Sequence, residues 1–132
     1  MTVTLSSKVG LITSPLQSDI DLNNKQIYQT EFGNGNSGAA ITIDYAANGN
    51  AQNVTLTNNC TFTFTDPPGA CHLTFLWFQD GVGGHSVTWP ATVKWQSATE
   101  PTWTTGASDI NIAFFYFDGA RYNGSGLVDV SI

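Results

Sequence analysis

CTFTFTDPPGACHLTFLWFQD, Cys60 to Asp80, is the stretch that decides the fold. Two strand-like runs flank Asp66-Pro67-Pro68-Gly69, which is turn chemistry: proline presets φ and glycine tolerates positive φ. With Pro67-Pro68 at the centre, a hairpin register sets Phe64 opposite Cys71, Phe62 opposite Leu73 and Cys60 opposite Phe75. Side chains alternate along a strand, so these six residues share one face. The other face carries Thr61, Thr63 and Thr65, then His72, Thr74, Leu76 and Phe78. The first strand has one dry and one wet face. The second becomes apolar on both faces at Phe75-Leu76-Trp77-Phe78, and Ala113-Phe114-Phe115-Tyr116-Phe117 does the same. A strand apolar on both faces needs cover on both sides. A second sheet of the domain supplies one cover. A neighbouring subunit is favoured for the other, ahead of an arm or a long loop. Leu76, Phe78, Phe115 and Phe117 are the candidate contacts on these two strands.

The same alternation continues outward. AAITIDYA sets Ile41, Ile43 and Tyr45 against Thr42 and Asp44, and QNVTLTNN sets Val54 and Leu56 against Thr55 and Thr57. HSVTW, TVKW, DINIAFFYFDG, ARYNG and GLVDVSI follow. Gly and Asn clusters separate them, and no segment holds a 3.6-residue period over helical length. No internal repeat is visible. Short strands between turn signals predict an all-β antiparallel β-sandwich, jelly-roll-like or barrel-like, over residues 31–132. Residues 1–30 lack a sustained period and read as an extended N-terminal arm.

The chain has 132 residues, the size of one domain. Only 11% are charged, against about 25% in a typical soluble domain. Thr, Asn, Ser and Gly must therefore supply the polar surface, which suits the outer positions of strands. Net charge is −6, with Lys8, Lys25, Lys94 and Arg121 the sole strong cations. That leaves no basic stripe for nucleic acid and no attraction to an anionic membrane. No window is apolar enough for a transmembrane helix, and the N-terminus lacks the pattern of a signal peptide. Synthesis in a cytoplasm is the resulting expectation.

Chemistry-bearing motifs are sparse. Cys60 and Cys71 are too far apart in the hairpin register for a bridge, so both read as free core thiols. Those two, with His72 and His85, exhaust the soft metal ligands and lack zinc-site spacing. Asp19 to Asn24 opens like a calcium loop, but Asn24 replaces the required glycine and Thr30 the required glutamate. No nucleophile stands in a motif with either histidine. No cofactor, metal or catalytic residue is expected. The tryptophans remain: three lie in SVTWPATVKWQSATEPTW, at Trp89, Trp95 and Trp103. Core or subunit interface is the commoner fate of such rings, with a glycan platform the alternative. Trp89 and Trp95 read as packing residues on strands bent at Pro90. Trp103, in a Thr-rich loop, and Tyr122 read as exposed aromatics able to stack on sugar.

Thr61-Phe62-Thr63-Phe64 with its Pro-Gly turn, Gln79-Asp80-Gly81, Val87-Thr88-Trp89-Pro90, Val93-Lys94-Trp95, Pro101, Asp109-Ile110 and Asp118-Gly119 together resemble a β-rich domain of tailed-bacteriophage virion surface proteins. The resemblance spans residues 38–126. One departure is Gln96-Ser97-Ala98, where the pattern has a Gly-rich turn. The resemblance implies a non-enzymatic virion structural protein at the virion surface, commonly a homotrimer. Because the chain is short and starts at Met1, a capsid decoration, or cement, protein bound to the major capsid protein or another virion protein is the leading expectation. Its anchor would be residues 1–30. The alternative is a tail fibre or receptor-binding head that contacts a host glycan.

Overall fold

The alternating stretches do form strands, but they pair differently from the hairpin register. The computed structural model of the chain describes residues 23–130. Its strands are β1 (Phe32–Asn36), β2 (Ala40–Asp44), β3 (Ala51–Leu56), β4 (Cys60–Thr65), β5 (Cys71–Gln79), β6 (Val87–Thr88), β7 (Val93–Trp95), β8 (Ile110–Phe117) and β9 (Tyr122–Leu127). One helical turn, α1 (Tyr45–Asn48), follows β2 and is capped by Asp44, whose carboxylate accepts from Ala47 N at 2.9 Å. The expected arm falls mostly outside the described residues. Asn23 to Glu31 form no helix or strand; Gln29 Oε1 accepts from Asn50 N at 3.2 Å.

The expected antiparallel sandwich is corrected by the pairing. β1, β3 and β5 run parallel in a six-stranded mixed sheet of order β1-β3-β5-β8-β9-β7. β2, β4 and β6 form a second sheet, also parallel. The chain therefore alternates between sheets from β1 to β6, like the winding of a flattened β-helix. Phe32 sits beside Gln52 and Gln52 beside Phe75; Ala40 sits beside Thr61 and Cys60 beside Val87. The rungs are of unequal length, which is why no repeat shows in the sequence. Asp66–Gly69 is a corner that carries the chain from one sheet to the other, not a hairpin. Only β8 and β9 add antiparallel pairs, β8 against β5 and β9 against β8, and β7 closes the sheet parallel to β9.

The inward face of the opening stretch is the one expected, reached from two opposing sheets. Cys60 and Phe62 of β4 are buried with Leu73, Phe75 and Trp77 of β5, and Thr61, Thr63 and Thr65 face out. Phe62 meets Phe75 edge-on at 5.1 Å between ring centroids, a favoured aromatic geometry. Cys60 and Cys71 are free, on strands of different sheets, and burial pushes the Cys60 thiol up. The denatured chain should titrate two thiols whether or not it was first reduced. A count that rises after reduction would contradict this pairing-free arrangement.

Buried side-chain amides join loops to the core where strands end. Gln52 donates through Nε2 to Asp44 O and Gly49 O, both at 2.9 Å, and holds the α1 corner. Gln79 donates to His85 O at 2.8 Å and accepts from His85 N at 3.1 Å. Asn111 donates to Thr104 O at 2.9 Å and accepts from Thr104 N at 3.1 Å. Each of the last two replaces a missing strand with a two-bond bridge, which satisfies loop backbone beside the core.

The β8–β9 turn rests on Asp118. Its Oδ1 accepts from Ala120 N at 3.0 Å and Arg121 N at 2.8 Å, and its Oδ2 from Arg121 Nε and Asn123 Nδ2, both at 3.1 Å. These donors, Arg121 N first, hold the carboxyl down at about 2. A depressed folded value stabilises above the unfolded value of about 3.9 and is lost as pH falls towards the folded one. Asp118→Asn should therefore flatten the stability loss between about pH 4 and pH 2. An unchanged acid limb in urea melts across that range would contradict it.

Candidate functional site

Four tryptophans converge at one end of the interior. Trp77 is fully buried on β5; Trp89 and Trp103 are half-buried against it, and Trp95 is half-buried against those two. Trp103 stands edge-on to Trp77 at 4.7 Å, Trp89 to Trp95 at 5.2 Å, and Trp95 to Trp103 at 5.5 Å. Trp89 and Pro90 form the corner where the chain leaves the three-stranded sheet for the larger one; Val93 N closes it on Pro90 O at 3.0 Å. β9 makes room with Gly124 and Gly126. A Cβ at Gly124 would lie 2.8 Å from Phe115 and Trp95, and one at Gly126 would lie 2.2 Å from Trp103.

Glu100 ties the cluster together. Its Oε1 accepts the indole N–H of both Trp89 and Trp103, each at 2.8 Å. A groove of ≈ 450 Å³ runs beside it, lined by Trp95, Gln96, Ser97, Glu100, Thr102 and Ser125 among others. An adjoining hollow of ≈ 350 Å³ shares Trp95, Gln96, Gly124 and Ser125. A third, of ≈ 210 Å³, lies where Trp77, Gln79, His85, Glu100 and Trp103 meet. Trp77 Nε1 is buried there without a hydrogen-bond partner among the described residues. His85 Nε2 lies 3.1 Å from Asp80 Oδ1. That same oxygen takes Gly83 N and Val82 N at 2.9 Å, and these donors hold the Asp80 carboxyl below its ordinary value.

The loop after Trp95 departs from ordinary backbone. Ser97 and Ala98 have φ of 53° and 56°, the left-handed region that glycine enters without steric cost. The Gly-poor Gln96-Ser97-Ala98 segment thus keeps the turn shape that glycine would favour. Ala98→Gly should stabilise the domain by about 1 kcal/mol, because non-glycine residues carry strain there. A lower unfolding midpoint would refute this account of the loop.

The predicted contact residues separate. Leu76 and Phe78 are half-buried on the outer face of the large sheet. Trp103 is not the free ring expected, because it packs on Trp77 and over Gly126. Phe115, Phe117 and Tyr122 are core residues. Strand alternation puts their neighbours Phe114 and Tyr116 outside instead, at 40% and 46% exposed. Tyr122 donates its hydroxyl to Asp66 Oδ1 at 2.6 Å, which ties β9 to the Asp66–Gly69 corner. Burial first, then Asp66, pushes the Tyr122 phenol well above its ordinary range. Sequence reasoning missed Glu100. The available signal was that Glu100 is the one acid within Ser86–Trp103, set among three tryptophans.

Residues 38–122 match the family model described as "Putative phage tail fibre C-terminal domain". No curated protein and no solved structure matches the chain.

Proposed function

The chain belongs to the phage tail fibre C-terminal domain family, a virion component, and from that premise we propose that it is a host-binding fibre head. The match favours the fibre alternative over capsid decoration, which it does not support. The observation that carries the reading is the aromatic-walled groove at Trp95 and Glu100. Such a concave site with a few fixed polar groups is a binding geometry. Among the described residues lining the groove, Glu100 is the only acid, whereas glycoside hydrolysis ordinarily uses two carboxylates. That single carboxylate supports binding over glycoside hydrolysis in this groove. Fluorescently tagged protein should label host cells, and Trp95→Ala should remove the label while far-UV circular dichroism and cooperative unfolding show the fold retained. Equal labelling by that variant would refute the groove as the contact.

We further propose that the head works as a homotrimer, joined through the outer face of the large sheet. Leu76 lies beside Ile112, which lies beside Leu127; Phe78 lies beside Ile110 and Thr74 beside Phe114. β3, β5, β8 and β9 contain no Asp, Glu, Lys or Arg. An uncharged apolar face on a chain of net charge −6 suits burial against other copies, with three such faces meeting about one axis. Sedimentation should give a trimer that Phe114→Asp with Tyr116→Asp converts to folded monomers. A monomeric wild-type chain would contradict it.

A further inference from the structure

This inference deepens the host-binding reading and rests on it: the geometry points to the groove between β9 and residues 95–102 as a site for an uncharged saccharide. Trp95 is its stacking surface and Glu100 its hydroxyl acceptor.

The groove follows from how the sheet ends. β7 stops pairing with β9 at Trp95 and Gly124, but β9 continues to Leu127. On its other side β9 pairs with β8 throughout. The edge of β9 around Ser125 is therefore open to the groove, with backbone groups that β7 does not reach. Trp95 forms the opposite wall. Its ring is braced by Trp89, Trp103 and Phe115 at 5.2, 5.5 and 5.7 Å, so it is held in place before any ligand arrives.

Glu100 is held as firmly. Two indole N–H groups fix Oε1, while Oε2 makes no hydrogen bond among the described residues. A fixed carboxylate with one open oxygen accepts hydroxyl hydrogen bonds, and such charge-assisted bonds are the strong ones. Because the geometry exists in advance, little ordering cost falls on binding.

The lining then selects the ligand. Gln96, Ser97, Thr99, Thr102 and Ser125 surround one aromatic ring and one carboxylate. A pyranose offers that mixture in reverse: an apolar C–H face for Trp95 and a rim of hydroxyls for the polar wall. The adjoining hollow, which shares Trp95, gives room for a second ring. An anionic sugar would meet the Glu100 charge on a chain already at −6. Lys94, at the adjoining hollow, donates to Ala91 O at 2.8 Å and does not line the groove itself. An alkylammonium ligand would suit the carboxylate and ring but leave the hydroxyl and amide lining unpaired.

The test uses the full chain on immobilised uncharged oligosaccharides of glucose, galactose, mannose and N-acetylglucosamine, beside sialylated and phosphorylated counterparts and a quaternary-ammonium probe. At least one uncharged saccharide should bind. Glu100→Gln keeps an oxygen for the two indoles but replaces the open acceptor with a donor, so it should weaken binding about tenfold or more while the variant still unfolds cooperatively. Binding confined to anionic sugars or to the ammonium probe overturns the inference. So does an uncharged saccharide whose affinity ignores both Glu100→Gln and Trp95→Ala. If no saccharide binds while the protein still labels host cells, the saccharide assignment fails and host binding stands. If neither binds, the host-binding reading fails with it.

Discussion

Gly126→Ala should cost the domain about 1–3 kcal/mol, the range for overpacking a well-filled interior, and should displace Trp103. A Cβ at this position lies 2.2 Å from Trp103 Cη2 and 2.5 Å from Cζ3. The ring has little room to give. Trp77 stands 4.7 Å away, Glu100 holds the indole N–H, and Asn111 holds the backbone of the next residue, Thr104. On the backbone side, Ile112 O lies 3.2 Å from the same Cβ. The strand must bend or the ring must leave. Urea melts followed by tryptophan fluorescence should show a lower midpoint and an altered native spectrum. A native spectrum with an unchanged midpoint would mean that Trp103 does not sit over β9.

Trp77→Ala should be more damaging, at about 3–5 kcal/mol, a large share of the about 5–15 kcal/mol that holds a domain together. Trp77 is fully buried and touches rings from three directions: Phe75 at 5.8 Å, Trp89 at 5.4 Å and Trp103 at 4.7 Å. Removing it empties the centre of the cluster and undercuts both rings that hold Glu100. Trp77→Phe separates packing from polarity. The Nε1 donor has no partner among the described residues, so exchanging it for an apolar edge forfeits none of their hydrogen bonds. The phenylalanine variant should keep most of the stability that alanine loses. Equal losses in the two variants would show that the account of Trp77 as packing is wrong.

Much of the local structure was legible because alternation is a local property. Thr61, Thr63 and Thr65 had to face water once Cys60 and Phe62 faced in, whatever β4 paired with. The pairing itself was not legible. Asp66-Pro67-Pro68-Gly69 reverses direction equally well within a sheet or across to the opposing one, and both choices turn the same six side chains inward. Only non-local contacts distinguish them. Unequal rungs concealed the winding, since Cys60 to Val87 spans the long Asp80–Ser86 loop while Ala40 to Thr61 spans the α1 corner. In Ala113–Phe117 every residue is large or apolar, so the phase of alternation had nothing polar to fix it. Phe115 and Phe117 were assigned outward, yet they point inward.

The site was legible in its residue types but not in its assembly. The three clustered tryptophans announced something, and the question was whether they were core or platform. All three pack on the core; Trp89 and Trp103 hold Glu100, and Trp95 is the one of the three that also lines the groove. Glu100 was passed over because a lone acid beside proline resembles ordinary loop chemistry. Its role depends on two rings that reach it from different segments, a relation no spacing rule describes. Gly124 and Gly126 lie in a Gly- and Asn-rich stretch of the kind that separates strands. They are strand residues whose missing side chains admit Trp95 and Trp103.

The most direct test of the central claim, that this fibre domain holds its host through the Trp95–Glu100 groove, is competition on host cells. Labelled protein is bound to cells and challenged with the uncharged saccharide found to bind it. The account predicts displacement at concentrations near that saccharide's own dissociation constant, with Glu100→Gln protein labelling cells about tenfold more weakly. Full labelling in saturating saccharide, with Glu100→Gln and Trp95→Ala bound as well as wild type, would contradict it.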